Sequence, residues 1–358
     1  MKRNRRIIWS LVTAVATLAF LGILASTVSR QWLPRGPAAA PSPTSQQGAA
    51  ASALPKATVD FGGQPLQPRM EDGVPTYDLT LKKVQWDIGG GNWKDAFTIN
   101  GMVPGPELRV KEGQFTRFRV KNELGEATSI HWHGMILPAK QDGIAHLTQD
   151  PIEHGDTFVY EFKPGPPGTH MYHSHFNGAK QVTNGLYGAL IVEPKDPSHP
   201  THPSQYDKDY VLIIGDTGTL GLVMNGKSFP YNLPFKVKEG QRALLRMINL
   251  GVGPHPMHLH GHDFRVVAKD GNAIAQPMLW NTTDIAPGET YDMAFAANNP
   301  GSWLFHCHIL PHAEGPDGMF GLTMLLEYEG YEPDPKSTHR HLQPTEKRLP
   351  GTPGKNEH

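Results

Sequence analysis

Between about residues 72 and 330 the apolar positions fall in short runs bounded by Gly/Pro turns. Phe115-Thr116-Arg117-Phe118-Arg119-Val120 and Gly188-Ala189-Leu190-Ile191-Val192 are examples. They are rich in strand-forming residues and carry no helical period, so the pattern predicts strands. With 38 Gly and 33 Pro, the chain is punctuated too often for long helices. The expected fold class is all-β. A different pattern stands at the N-terminus, where Lys2, Arg3, Arg5 and Arg6 precede an uncharged run from Ile7 to Val28 that ends before Arg30. A secretory signal core runs roughly 7–15 residues and a membrane span roughly 20. The run has the length of a span, so residues 1–30 are expected to be a basic cytoplasmic end plus membrane anchor. A cleaved signal with its cleavage region at Ala25-Ser26-Thr27 is the alternative, and Arg5-Arg6 has the character of a twin-arginine signal. Either reading places the body outside the cytoplasm, in the periplasm or at the cell surface, anchored or secreted.

Composition narrows the picture. The 358 residues carry 33 Lys+Arg against 34 Asp+Glu, which excludes a basic nucleic-acid binder. Residues 31–71, rich in Pro and Ala, read as a flexible linker, and 331–358 as a disordered tail holding His339, His341 and His358. The single cysteine, Cys307, excludes an intrachain disulfide.

What remains divides into two similar halves. Val110-Lys111-Glu112-Gly113-Gln114 recurs 127 positions on as Val237-Lys238-Glu239-Gly240-Gln241, and at that offset His131 falls on His258 and His133 on His260. Further along the offset is 133, matching Gly155 to Gly288, Gly168 to Gly301, His173 to His306 and His175 to His308. One six-residue length change between about 134 and 154 accounts for the difference. The expected architecture is two tandem Greek-key β-sandwich domains, 72–196 and 205–330.

The 19 histidines carry the chemistry. His131-Trp132-His133, His173-Ser174-His175, His258-Leu259-His260 and His306-Cys307-His308 are four His-x-His pairs at equivalent places in the two repeats. In a strand, residues i and i+2 share a face, so each pair aims two imidazoles one way and its middle residue the other. Four such pairs point to a multinuclear metal site formed where a first and a second repeat face one another, and neutral imidazole suits copper, zinc, iron or nickel. In the second repeat Cys307 stands with His255, His312 and Met319, the donor set of a blue-copper electron-transfer site. The first repeat has Thr128, Ser174, Ala179 and Leu186 at those positions, so the four ligands are absent together.

These residues resemble the multicopper oxidases. His131-Trp132-His133-Gly134, His173-Ser174-His175, His255-Pro256-Met257-His258-Leu259-His260-Gly261-His262 and His306-Cys307-His308-Ile309-Leu310-Pro311-His312 look like that family's four copper signatures, in order. With two cupredoxin-like domains and blue copper only in the second, the chain is similar to two-domain, laccase-type members. The resemblance implies four coppers per chain. Type 1 copper takes His255, Cys307 and His312, with Met319 axial; type 2 takes His131 and His258; the type 3 pair takes His133, His173, His175, His260, His306 and His308. The family's axial position is Asp317 here, two residues before Met319. Asp142 matches a proton-delivering carboxylate of the family, against the alternative of a turn aspartate, and Glu314 is the candidate second acid. The implied reaction is one-electron oxidation of phenolic or aromatic-amine donors coupled to four-electron reduction of dioxygen to water. A metallo-oxidase acting on Cu(I), Fe(II) or Mn(II) is the alternative, ahead of a copper nitrite reductase or an electron-transfer protein. By analogy with two-domain relatives, a homotrimer with clusters between chains is expected.

Overall fold

The computed structural model describes residues 54–332, and the expected membrane segment and most of the expected tail lie outside them. Among the described residues no helix is long and apolar enough to cross a membrane. Two β-sandwiches follow one another. In the first, Arg69–Glu71, Val74–Asp87, Trp93–Ile99, Thr116–Glu123 and Thr157–Phe162 form one sheet; Leu108–Lys111, Tyr187–Glu193, Gly168–Ser174 and Ile130–His133 form the other. In the second, Lys208–Gly215, Arg242–Asn249, Thr290–Ala296 and Phe264–Lys269 are the long strands of one sheet. Phe235–Val237, Thr323–Tyr328, Ser302–Cys307, His255–Leu259 and Thr282–Ile285 make the other.

The sequence repeat is preserved in the strand register. Val74–Asp87 runs parallel to Thr116–Glu123 with Thr76 opposite Arg117, and Lys208–Gly215 runs parallel to Arg242–Asn249 with Asp209 opposite Leu244. Phe118 pairs with Tyr160, and Leu245 with Met293. The Phe118–Tyr160 and Leu245–Met293 pairs are the same positions under the offsets of 127 and 133. The first core is aromatic, with Phe118 4.3 Å from Trp132 and further ring contacts to Tyr160, Phe162 and Tyr172. The second is largely aliphatic and methionine-rich, around Phe235, Phe264 and Phe305.

The unbroken apolar run at 187–192 has a physical cause. Leu190 and Val192 fill the first core, while Tyr187, Ala189 and Ile191 point the other way into a third core with Met171, Ile213, Val223 and Ile248. A strand buried on both faces has no polar side to alternate with. This third core joins the two sandwiches, and each large side chain in it is worth about 1.5–3 kcal/mol of burial. Beside it lies a buried polar network. Arg246, 1% exposed, donates to both oxygens of Asp209 at 2.6 and 3.0 Å and to Thr169 Oγ1 at 3.0 Å, and Arg109 of the first sandwich also reaches Asp209. Asp292 accepts from Thr169 and lies 3.6 Å from Arg246. Burial pushes Asp292 up to about 6, against the pull of Arg246.

One sequence expectation is corrected. Of the expected linker 31–71, residues 54–71 are not a free tether but lie along the first sandwich. Ala57 N–H donates to Gln85, Leu66 N–H to Glu107 and Gly63 N–H to Pro104, while Arg69–Glu71 pairs with Val74–Asp87. Gly62 is required there, since a Cβ would lie 2.0 Å from the Val103 carbonyl oxygen. The first sandwich thus begins at Arg69 rather than residue 72.

Arg246→Met is expected to cost about 3–5 kcal/mol, because it leaves Asp209 and Asp292 buried without their central cation. Asp292 has a folded-state value above its unfolded one, so its ionisation opposes folding, and stability drops as pH rises from about 4 to about 6. Without Arg246 that drop should deepen and extend to higher pH, as urea unfolding at pH 5 and pH 8 would show.

Candidate metal centre

Strand parity sorts the metal-ligating candidates into two sides. On His255–Leu259, residues 255, 257 and 259 are buried and 256 and 258 are half-buried; Met257 is paired with Cys307, and His258 with His306. His255 and Cys307 therefore face the sandwich interior while His258, His260, His306 and His308 face outward. In the first repeat Trp132 and Ser174 are buried and His131 pairs with His173, the equivalent register.

The outward imidazoles form two sets of four. His131 packs against His133, His173 and His175 with ring centroids 5.4–5.6 Å away. His258 is likewise the hub of His260, His306 and His308, at 4.9–5.9 Å. Hydrogen bonds fix the tautomers. His131 Nδ1 donates to the Asp142 carbonyl at 2.8 Å, His258 Nδ1 to the Asn281 carbonyl at 2.8 Å, His173 Nδ1 to Ser174 O at 2.9 Å and His306 Nδ1 to Cys307 O at 3.0 Å. Each leaves Nε2 with a free lone pair, as metal ligation requires. His260 Nε2 and His306 Nε2 converge to 3.0 Å, and His133 Nδ1 and His173 Nε2 to 3.3 Å. Burial, aided by neighbouring imidazoles, lowers the pKa of His133, His260 and His306 and brings His173 down to about 4, so these rings are neutral at pH 7.

Among the described residues no ring of one set contacts a ring of the other. The first set instead opens into a cavity of about 710 Å³ whose far wall is Asn249, Leu250, Gly251, Val252, Pro287 and Gly288 of the second sandwich.

The inward site comprises His255, Cys307 and His312, whose ligand atoms all lie within 4.8 Å of one another. Cys307 Sγ is 3.5 Å from His255 Nδ1 and 3.9 Å from His312 Nδ1. Burial pushes the Cys307 thiol up, so a thiolate here needs a bound cation. A buried sulfur with two imidazole nitrogens turned to it fits copper. His312 is held on a one-turn helix, Leu310–His312, and Met319 lies half-buried on the hairpin that follows, opposite Glu314. Glu314 is exposed.

The first repeat shows what fills this position without a metal. Thr128 and Ser174, equivalent to His255 and Cys307, both donate to Gln181 Oε1, at 2.8 and 2.6 Å, and Gln181 Nε2 donates to Glu126 and to Ala127 O. All three are fully buried, and the side-chain amide satisfies polar groups that water cannot reach.

Asp142 reaches His131 twice, through its carbonyl and through Oδ1 at 3.3 Å. Gly143, at φ +81°, permits this, since a Cβ would sit 1.8 Å from the Ile130 carbonyl oxygen. Three further residues matter that sequence reasoning did not single out. Asp216 accepts from His255 Nε2 at 3.1 Å; burial opposes its ionisation, but His255 and the Val252 and Gly253 amides hold it down at about 2. His262, within the third signature, donates to His260 O and accepts from Tyr328 OH at 2.7 Å, a core role. His170 is buried at the junction of the sandwiches, bonded to Pro166 O and pushed down to about 4 by burial.

Fold and site together define a tandem β-sandwich protein in which, among the described residues, only the second sandwich brings a cysteine and two histidines together in a set that fits copper. Family models described as multicopper oxidase match residues 80–197 and 198–321. The chain is 34% identical to the blue copper oxidase of Nitrosomonas europaea, covering 77% of this chain and 91% of that one with a TM-score of 0.69. It is 45% identical over 140 residues to copper resistance protein A of Escherichia coli, covering 39% of this chain and 22% of that protein. It is also 35% identical over 245 residues to laccase-3 of Thanatephorus cucumeris, covering 57% and 42%. The chain thus spans less than a quarter of the copper resistance protein A that it matches, and it belongs to the multicopper oxidase family.

Gly143→Ala is expected to lift the Asp142 turn from the Ile130–His133 strand. It should cost about 1–3 kcal/mol, from the positive φ and the lost packing, and release the His131 ring. Denaturant unfolding and the 15N imidazole signals of the metal-free protein would read both.

Proposed function

We propose that the chain is an exported, laccase-like oxidase that takes electrons singly from phenolic or aromatic-amine donors and reduces dioxygen to water. The observation that carries this reading is the sidedness of His306-Cys307-His308. The thiol lies inside with His255 and His312, while its two neighbours join the outward set. In this reading Met319 completes the inward, type 1 site. His131 and His258 hold type 2 copper, and His133, His173, His175, His260, His306 and His308 hold the type 3 pair, giving four coppers per chain. Bound copper would supply reversible one-electron chemistry and a place for dioxygen. The chain itself provides two short covalent paths from Cys307 Sγ to the His306 and His308 rings, and the carboxyl of Asp142, beside His131, to pass protons. Glu314, exposed on the hairpin after His312, is the second acid.

The separation of the two histidine sets supports a homotrimer in which the first sandwich of one chain meets the second sandwich of the next. Exposed apolar residues flank both sets in sequence: Ile136 and Leu147 by the first, Met278, Leu279 and Trp280 by the second. Export is the remaining part of the reading, anchored through residues 1–30 or released by cleavage. The similarity to copper resistance protein A favours a second reading, a metallo-oxidase whose donor is Cu(I) rather than an organic molecule.

Oxygen uptake by the copper-loaded protein separates these readings. Faster turnover with a phenol than with Cu(I) or Fe(II) is expected, and turnover with the metal alone would establish the metallo-oxidase. Copper content should be about four per chain, against about two for a nitrite reductase or one for an electron carrier. Light scattering should give a trimer, and an active monomer would overturn the shared-cluster arrangement. Asp142→Asn keeps the backbone carbonyl that orients His131, so copper content should hold while oxygen turnover falls about 10²-fold.

A further inference from the structure

Asp216 follows the strand Lys208–Gly215, far from His255 in sequence, and its side chain is only 5% exposed. Its carboxylate accepts three hydrogen bonds: Val252 N–H to Oδ1 at 2.8 Å, Gly253 N–H to Oδ2 at 2.8 Å, and His255 Nε2–H to Oδ2 at 3.1 Å. Among the described residues no Lys or Arg is paired with it, so its charge is met by one imidazole and two amides. Gly251 lies against it so closely that a Cβ there would stand 2.5 Å from the carboxylate carbon. A buried carboxylate is costly unless it is tied down in this way, and the one side chain that bonds to this one is a ring whose other nitrogen faces Cys307.

We propose that Asp216 is a positioning residue for the Cys307 centre: it holds His255 as the Nε2–H tautomer with Nδ1 turned to the sulfur, and its charge makes that imidazole a stronger donor. The inference rests on the copper reading of the centre given above. A carboxylate behind a ligating imidazole raises the basicity of that ring and fixes its orientation. A stronger donor favours the more highly charged metal state, so Asp216 lowers the reduction potential of the site. The same carboxylate clamps Gly251–Gly253, and Leu250, Gly251 and Val252 wall the cavity above the first histidine set. One buried anion therefore ties a ligand of the inward site to the surroundings of the outward one.

The test uses the full, copper-loaded protein with Asp216→Asn and Asp216→Ala. Asp216→Asn should keep the copper–thiolate absorption band and shift the potential upward in a redox titration of that band. Asp216→Ala should weaken copper retention at this site alone by about 10–100-fold, leaving the other coppers in place. If Asp216→Ala does not fold, Asp216→Asn carries the test. In the metal-free wild type, 15N spectra should show His255 protonated on Nε2. An unshifted potential in Asp216→Asn, or a His255 protonated on Nδ1, overturns the assignment. Absence of the band from the wild type overturns the copper reading, and the role of Asp216 with it.

Discussion

A β-strand cannot turn consecutive side chains to one side, and the organisation of this protein depends on that constraint. Residues 306, 307 and 308 are consecutive, so a thiol buried in the sandwich compels its two neighbours to face out. The partner strand repeats the sorting, with His255 on the inner parity and His258 on the outer, because Met257 is registered on Cys307. Two centres of different character thus start from one pair of strands, and the segments just beyond the strand ends add His260, His308 and His312. The inner one is enclosed and sulfur-bearing; the outer one is a rosette of imidazoles open to whatever covers it.

The first sandwich uses the same strands, register and outward rosette, but its inner site is closed with hydrogen bonds. Gln181 stands among Thr128 and Ser174 and satisfies both, so the position costs nothing in unpaired polar groups. The first repeat lacks the inner ligands yet keeps the outer histidines, because the two sets lie on opposite faces of the sheet. The sulfur-bearing site is thereby confined to one half of the chain, while each half contributes four imidazoles.

The junction between the sandwiches determines where those imidazoles are found. Tyr187, Ala189 and Ile191 bury one face of a strand against Ile213 and Ile248, and Arg246 with Asp209 and Arg109 closes the polar margin. This packing holds the two rosettes apart. It also faces the first rosette with the loop that Asp216 clamps, an arrangement that gives the loop bearing on both centres.

The repeat, the all-β class and the two-sided donor pattern were legible in the sequence, because the offsets of 127 and 133 and the parity of strand positions are properties of linear order. The placement of 54–71 was not, since that segment is held by backbone hydrogen bonds to Gln85, Pro104 and Glu107, which leave no periodic side-chain signature. Asp216 was invisible for a related reason: 39 residues separate it from His255, and no local pattern marks which carboxylate a buried ring will find. Asp142 was legible as a candidate, but its approach to His131 depends on Gly143 fitting against the Ile130 carbonyl. Residue types and their spacing determined which donors exist and which side of a strand each occupies. Only the tertiary structure decided what stands behind each donor and that the two rosettes of one chain do not meet, because both depend on the docking of distant surfaces.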